Sequence, residues 1–236
     1  MKRILLTSLV LLGISAAAAA PKPSGEHLVA IDIVIEPDQT MLDAATALNA
    51  RLRANDPAGF TLGGTHAPHV SLLQRYVRAA DLDAVEVAVA NVLAADRLTD
   101  LRLKAMGIDY VMWAGSAVIV LALERTPELL RLQQAVADAV EPFSQTGGTA
   151  AAFVGSKINH ETIAYVETFV PKSSGANYLP HVTVGVAKED FAKRLKAEPF
   201  TAVSAAARGV AIYQLGNFGT AAKKLWEPRQ PVTSRR

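Results

Sequence analysis

The chain has 236 residues, no cysteine and a formal net charge of only +2. The absence of cysteine excludes disulfide bonds and a lipid anchor attached through cysteine, and a chain of this length can build a core without either. The nearly balanced charge argues against binding to long duplex nucleic acid, which depends on neutralising phosphates with basic residues.

The first 20 residues have the pattern of a secretory signal peptide. Lys2 and Arg3 precede an apolar run from Ile4 to Ile14, and small residues follow from Ala16 to Ala20. The run is too short for a typical membrane span, although an uncleaved anchor helix is the alternative. We therefore expect export to the periplasm or medium and no membrane attachment after cleavage. Removing the signal leaves 22 basic residues against 22 acidic ones.

The remaining chain, residues 21–227, predicts a single domain of strands and helices. Runs of β-branched and apolar residues indicate strands at 27–35, 69–77, 98–106, 117–123, 181–186, 201–213 and 223–226. Apolar residues at helical spacing indicate helices at 39–55, 81–93, 127–140 and 189–196. Two further segments are expected to be less regular: a loop-rich insertion at about 141–179, with a short helix or strand around 158–170, and a disordered tail at 228–236.

The tetrapeptide Pro-His-Val-(Ser/Thr) occurs twice, and it takes up two of the five histidines in the chain. Each copy opens a predicted strand. Because side chains alternate along a strand, His69 is expected to share a face with Ser71, and His181 with Thr183. The same alternation predicts that Arg75 lies on the face of His69, together with Leu73. Polar residues at the first and third positions of an otherwise apolar strand indicate that the strand opens onto a cavity.

Each motif strand is followed by a predicted helix and two predicted strands. This repeated order predicts an α+β fold built from two lobes, with duplicated antiparallel sheets and helices on the outside. A pseudo-twofold axis would then bring the two motifs together around a central cleft. We expect the protein to be a monomer.

The paired His-Val-Ser and His-Val-Thr resemble the 2H phosphoesterase superfamily, and the order of elements resembles its bacterial 2′-5′ RNA ligase/cyclic phosphodiesterase branch. The resemblance implies hydrolysis of a cyclic phosphate or related phosphoester without a metal or another cofactor. It implies that His69 and His181 are the catalytic acid and base, in an order left open, and that Ser71 and Thr183 bind the substrate phosphate. The expected substrate is a 2′,3′-cyclic nucleotide or a short RNA fragment ending in a cyclic phosphate.

Two other functions are compatible with the same residues. One is a non-catalytic protein that binds a small anionic ligand in the cleft; the other is a hydrolase that uses a histidine with a serine, although no acidic partner or nucleophile elbow is recognisable. A metal site at His66, His69 and His181 is disfavoured because no Asp, Glu or Cys accompanies these histidines at a suitable spacing.

Overall fold

The computed structural model describes residues 27–95, 98 and 101–228. The predicted signal peptide and almost all of the predicted tail therefore lie outside the described residues. The strands are β1 (Leu28–Pro37), β2 (Val70–Arg78), β3 (Arg102–Trp113), β4 (Ser116–Leu123), β5 (Ser144–Gln145), β6 (His181–Ala187), β7 (Val203–Leu215) and β8 (Ala221–Trp226). The helices are α1 (Gln39–Asn55), α2 (Leu82–Ala95), α3 (Pro127–Val140), α4 (His160–Ser173) and α5 (Glu189–Ala197).

The eight strands form an antiparallel sheet in the order β5-β2-β1-β7-β3-β4-β6, with β8 paired to β7. Strand β7 joins the two parts of the sheet because its first residues pair with β3 and its later residues pair with β1 and β8. The two motif strands, β2 and β6, lie far apart in this order.

Helices cover the apolar face of the sheet and form the main core with it. On β1 this face carries Val29, Ile31, Ile33 and Ile35, all buried. Helix α1 follows β1 in the chain but packs against β6 and β7, whereas α3 follows β4 and packs against β2. Helix α1 thus contacts the second motif strand, although it follows the neighbour of the first. Helix α3 contacts the first motif strand, although it follows the neighbour of the second.

Local sequence explains where these two helices begin. The side chain of Asp38 accepts hydrogen bonds from the N–H groups of Thr40 and Met41, and Thr126 accepts from Leu129 N–H ahead of Pro127. Both are N-caps that satisfy N–H groups without a partner inside the helix.

The predicted α+β class is confirmed. The duplicated two-lobed arrangement stays a prediction; in the sheet, β1 lies beside β2, and β4 lies beside β6. The segment predicted to be a loop-rich insertion contains the 14-residue helix α4, whose N-cap Asn159 accepts a hydrogen bond from Thr162 N–H at 2.7 Å. None of the helices in the described part of the chain is long and apolar enough to cross a bilayer.

Candidate active site

The two motif strands come together although they lie far apart in the order of the sheet. Strand β2 contacts β6, and the hydroxyl of Tyr178 donates a hydrogen bond to the carbonyl of Ser71 at 2.9 Å. Tyr178 is buried three residues before His181. This hydrogen bond links the segment just before the second motif to strand β2, which carries the first motif.

The two motif histidines form the same hydrogen bond to the backbone. Nδ1 of His69 lies 2.7 Å from the carbonyl oxygen of Ala67, and Nδ1 of His181 lies 2.8 Å from that of Leu179. A carbonyl oxygen can only accept a hydrogen bond, so Nδ1–H is the donor in both rings. Nε2 is then the nitrogen that can take up or release a proton. The proline before each histidine keeps the accepting residue extended, which accounts for the proline in the repeated tetrapeptide.

Each motif strand contains a β-bulge three residues after its histidine. Opposite β1, the register passes from Ser71 to Leu73, so that Leu72 is the extra residue. Opposite β4, the register passes from Thr183 to Gly185, so that Val184 is the extra residue. A bulge reverses the alternation of side chains beyond it.

The bulges are stabilised by two buried amide side chains. Asn49 of α1 donates to the carbonyl of Val184 at 2.8 Å, and Gln133 of α3 donates to the carbonyl of Leu72 at 3.2 Å. Both amides are almost fully buried. They satisfy the carbonyl groups that the bulges remove from the regular ladder, since a buried carbonyl without a partner is costly.

The first bulge places the residues beyond Ser71 on the face opposite to the one predicted. Leu73 packs into the main core, and Arg75 forms an ion pair with Glu141 at 3.2 Å. Gln74 lies instead on the face of Ser71. The prediction that Leu73 and Arg75 share the face of His69 was therefore wrong, because strict alternation does not hold across a bulge.

A buried carboxylate lies behind the first motif. Asp32 of β1 is fully buried, and its Oδ2 accepts hydrogen bonds from Ser71 Oγ at 2.7 Å and Gln74 Nε2 at 2.9 Å. The same Oδ2 lies 3.5 Å from Nε2 of His69. Asp32 is not among the site residues predicted from the sequence. The available signal was a single carboxylate in the middle of an apolar strand, a position that charged residues rarely occupy without a partner.

This carboxylate makes the two histidines electrostatically different. Burial lowers the pKa of His69, but the contact with Asp32 and its charge outweigh burial, so the pKa is raised above its ordinary value. For His181, burial lowers the pKa, the Leu179 carbonyl opposes this, and the charge of His69 lowers it further, with a net lowering. The charge of His69 therefore favours the neutral form of the His181 ring.

The two motif hydroxyls are also in different surroundings. The hydroxyl proton of Ser71 is donated to Asp32. Thr183 is half-buried on β6, opposite Val120 of β4. Their role in binding a substrate stays a prediction, but only the Ser71 hydroxyl is seen to donate to a carboxylate.

Other candidate residues have structural contacts. The ring of His66 stacks on Phe60 with centroids 4.5 Å apart, and burial lowers its pKa. The hydroxyl of Tyr213 donates to Glu36 at 2.7 Å. Within residues 27–95, 98 and 101–228, no group of three or more His, Cys, Asp or Glu side chains is placed to hold a metal ion.

The chain was compared with known protein families and structures. The family model described as the 2′-5′ RNA ligase superfamily matches residues 43–212, more than half of the chain and a span that includes both motifs. The chain belongs to this superfamily. A comparison with curated proteins gives no match.

Two solved structures of E. coli LigT are similar to this chain. The apo form has 14% sequence identity and a TM-score of 0.41, over 86% of this chain and 99% of LigT. The form complexed with 3′-AMP has the same identity and a TM-score of 0.37, over 86% of this chain and all of the LigT chain. The family match, which is independent of these likenesses, confirms the predicted resemblance to the 2H phosphoesterases and supports a phosphoesterase- or ligase-type activity.

Proposed function

We propose that this protein is a phosphoesterase that hydrolyses a 2′,3′-cyclic nucleotide, or the cyclic phosphate at the end of a short RNA fragment, by paired-histidine acid–base catalysis. The observation that carries the proposal is the matched placement of His69 and His181. Each ring has its Nδ1–H fixed by a carbonyl two residues earlier, which leaves Nε2 for proton transfer.

The proposed reaction needs only water and the two imidazoles. A neutral imidazole takes a proton from water as the water oxygen forms a bond to phosphorus. The bond between phosphorus and one ribose oxygen breaks, and the protonated imidazole gives its proton to that oxygen. The products are a phosphomonoester and a free ribose hydroxyl, and transfer of one proton between the rings, through solvent, restores the starting state. Imidazole suits both roles because its ordinary pKa is about 6.5.

Charge stabilisation at phosphorus comes from the groups around the rings. The imidazolium carries a positive charge toward the phosphate, and the Thr183 hydroxyl is the proposed donor to a non-bridging oxygen. The nearly neutral charge after signal removal supports a small substrate over a long duplex.

Hydrolysis of 2′,3′-cyclic nucleotides by the purified mature protein, with EDTA present, tests the proposal. We expect turnover, and a loss of kcat of about 100-fold or more in His69→Ala and in His181→Ala, the size of effect typical of general acid–base groups. His66→Ala removes a nearby histidine outside the motifs and should retain the wild-type rate. Full activity in both motif variants would contradict the site, and tight nucleotide binding without turnover in the wild type would favour the non-catalytic binding protein.

Export is part of the same proposal. We infer from residues 1–20 that the protein is made with a cleaved signal peptide and acts in the periplasm or medium. Cell fractionation and N-terminal sequencing of the mature protein test this. A cytoplasmic protein that keeps Met1 would contradict it.

A further inference from the structure

The two motifs are alike in their backbone but differ in the residue behind them. In each motif strand, the residue five positions after the histidine pairs with a residue of the neighbouring strand. In the first motif this pair is Gln74 with Asp32, and in the second it is Val186 with Val118. A carboxylate and an amide thus occupy the positions that two valines occupy in the second motif.

The Asp32 carboxylate is fixed in place. It is fully buried, and two donors, Ser71 Oγ and Gln74 Nε2, bind the same oxygen that lies near His69. A buried carboxylate is unfavourable unless it is hydrogen-bonded or paired with a positive charge. Two neutral donors supply part of that compensation, and an imidazolium at position 69 supplies the charge.

We propose that Asp32 is the positioning residue that makes His69 the general acid of the reaction and leaves His181 as the general base. The assignment rests on the proposed function, because it gives roles to the two histidines of that site. It follows from the buried carboxylate on one side of the pair and the apolar valines on the other.

The distance between Asp32 and His69 suits an acid that must release its proton. At 3.5 Å, Oδ2 is farther from Nε2 than the 2.7–2.9 Å typical of a charge-assisted hydrogen bond. The carboxylate therefore favours the imidazolium by its charge without tightly holding the Nε2 proton. That proton stays available to the leaving ribose oxygen.

The charged groups around the pair support the same assignment. Burial lowers the pKa of His69, but Asp32, which lies 3.5 Å away, and the charge of Glu36 on the same strand raise it, with a net increase. Burial and the charge of His69 lower the pKa of His181, and together they outweigh the opposing effects of the Leu179 carbonyl and the Asp32 charge. Two identical imidazoles at a pH equal to their common pKa would hold the required combination, one particular ring charged and the other neutral, in about a quarter of molecules. Moving the two pKa values apart makes that combination the dominant one.

In the resulting step, His181 Nε2 accepts the proton of the attacking water, whose oxygen bonds to phosphorus. The bond from phosphorus to the ribose oxygen breaks, and His69 Nε2 donates its proton to that oxygen. Activity should fall at low pH as His181 becomes protonated and at high pH as His69 loses its proton.

Titration of the full mature wild-type protein tests the roles without changing Asp32. The ring C–H signals of the histidines are followed by NMR against pH and assigned with His69→Gln and His181→Gln. We expect the His69 midpoint to lie above the His181 midpoint. The reverse order would overturn the proposal, even if Asp32 variants fail to fold.

The variant Asp32→Asn keeps the shape of the side chain and removes its charge. We expect the His69 midpoint and the alkaline limb of kcat/KM to move toward acid pH by about one unit, the lower end of the effect of a nearby carboxylate. The acid limb should move much less. Asp109→Asn, which removes a surface carboxylate paired with Lys196, should leave both limbs in place.

A merely structural role for Asp32 predicts a lower rate at every pH with unmoved limbs, and that result would overturn the proposal. Movement of the acid limb instead would make His69 the base, which also overturns it. If the wild type hydrolyses no cyclic nucleotide, the proposed function fails together with the catalytic roles. The order of the two midpoints, and the shift of the His69 midpoint in Asp32→Asn, then still show whether Asp32 raises the pKa of His69 above that of His181.

Discussion

Replacing Gln133 by methionine removes the amide that holds the first bulge while leaving the helix and the volume of the core almost unchanged. Gln133 is fully buried on α3 and makes three hydrogen bonds: its Nε2 donates to Leu72 O at 3.2 Å and to Ser174 Oγ at 2.9 Å, and its Oε1 accepts from Gly175 N–H at 3.2 Å. Methionine has a similar helix propensity and a similar length. The measured change therefore reports mainly the lost hydrogen bonds.

The expected loss follows from how buried each orphaned group is. The Leu72 carbonyl is buried and would cost about 1–3 kcal/mol without a partner. The groups of Ser174 and Gly175 are only partly buried, so water replaces part of each bond and they add about 1 kcal/mol together. The variant should lose about 2–4 kcal/mol of unfolding free energy.

Urea denaturation measures this loss. With a slope of about 2 kcal/mol/M, the unfolding midpoint of Gln133→Met should fall by about 1–2 M with an unchanged slope. Gln134→Met is the matched control, because Gln134 is exposed on the same helix and donates a surface hydrogen bond to Asp138. Its midpoint should move little. Equal midpoints for the two variants would refute the claim that Gln133 supports the bulge.

Two further substitutions test the backbone of the structure by thermal unfolding. Ala114 has φ of 46° in the exposed turn between β3 and β4, so Ala114→Gly should stabilise the protein by about 0.5–1 kcal/mol. The control Ala47→Gly, on the exposed face of α1, should destabilise it by about 1 kcal/mol. A loss of stability in Ala114→Gly would contradict backbone strain at this turn. A methyl group at Gly148 would overlap the buried ring of Tyr76, so Gly148→Ala should destabilise the protein by about 1–3 kcal/mol. The control Gly209→Ala should change stability little, because the space around Gly209 is open. Similar melting temperatures for these two variants would contradict the close packing of Gly148 on Tyr76.

The main elements and the start of each motif could be predicted from local sequence. Apolar patterning is local information, and it located α1 and α3 at their observed bounds. Alternation along a strand also explains why Ser71 shares the face of His69, since Ser71 lies only two positions after His69 and before the bulge. These predictions needed no knowledge of which strands become neighbours.

The residues that distinguish the two motifs could not be predicted in this way. The bulge at Leu72 depends on pairing with β1, and the pairing of Asp32 with Gln74 joins residues 42 positions apart. No local pattern reports such a register. Alternation counted from His69 therefore gives the wrong face for Gln74, because Gln74 lies beyond the bulge.

Buried amides from two helices give the two motif strands the same support, whereas the neighbouring strands make their chemistry unequal. Because Asn49 supports the strand of His181 and Gln133 supports the strand of His69, each histidine is positioned by a helix from the other end of the sheet. Both rings also have the same hydrogen bond to a backbone carbonyl, whereas the strand beside each motif differs: β1 carries a carboxylate and β4 carries a valine at the matching position. Acid–base catalysis by two imidazoles benefits from such a separation, because more of the molecules then hold one particular ring charged and the other neutral. A single buried charge on β1 is the simplest change that separates them while leaving the geometry of the two motifs alike.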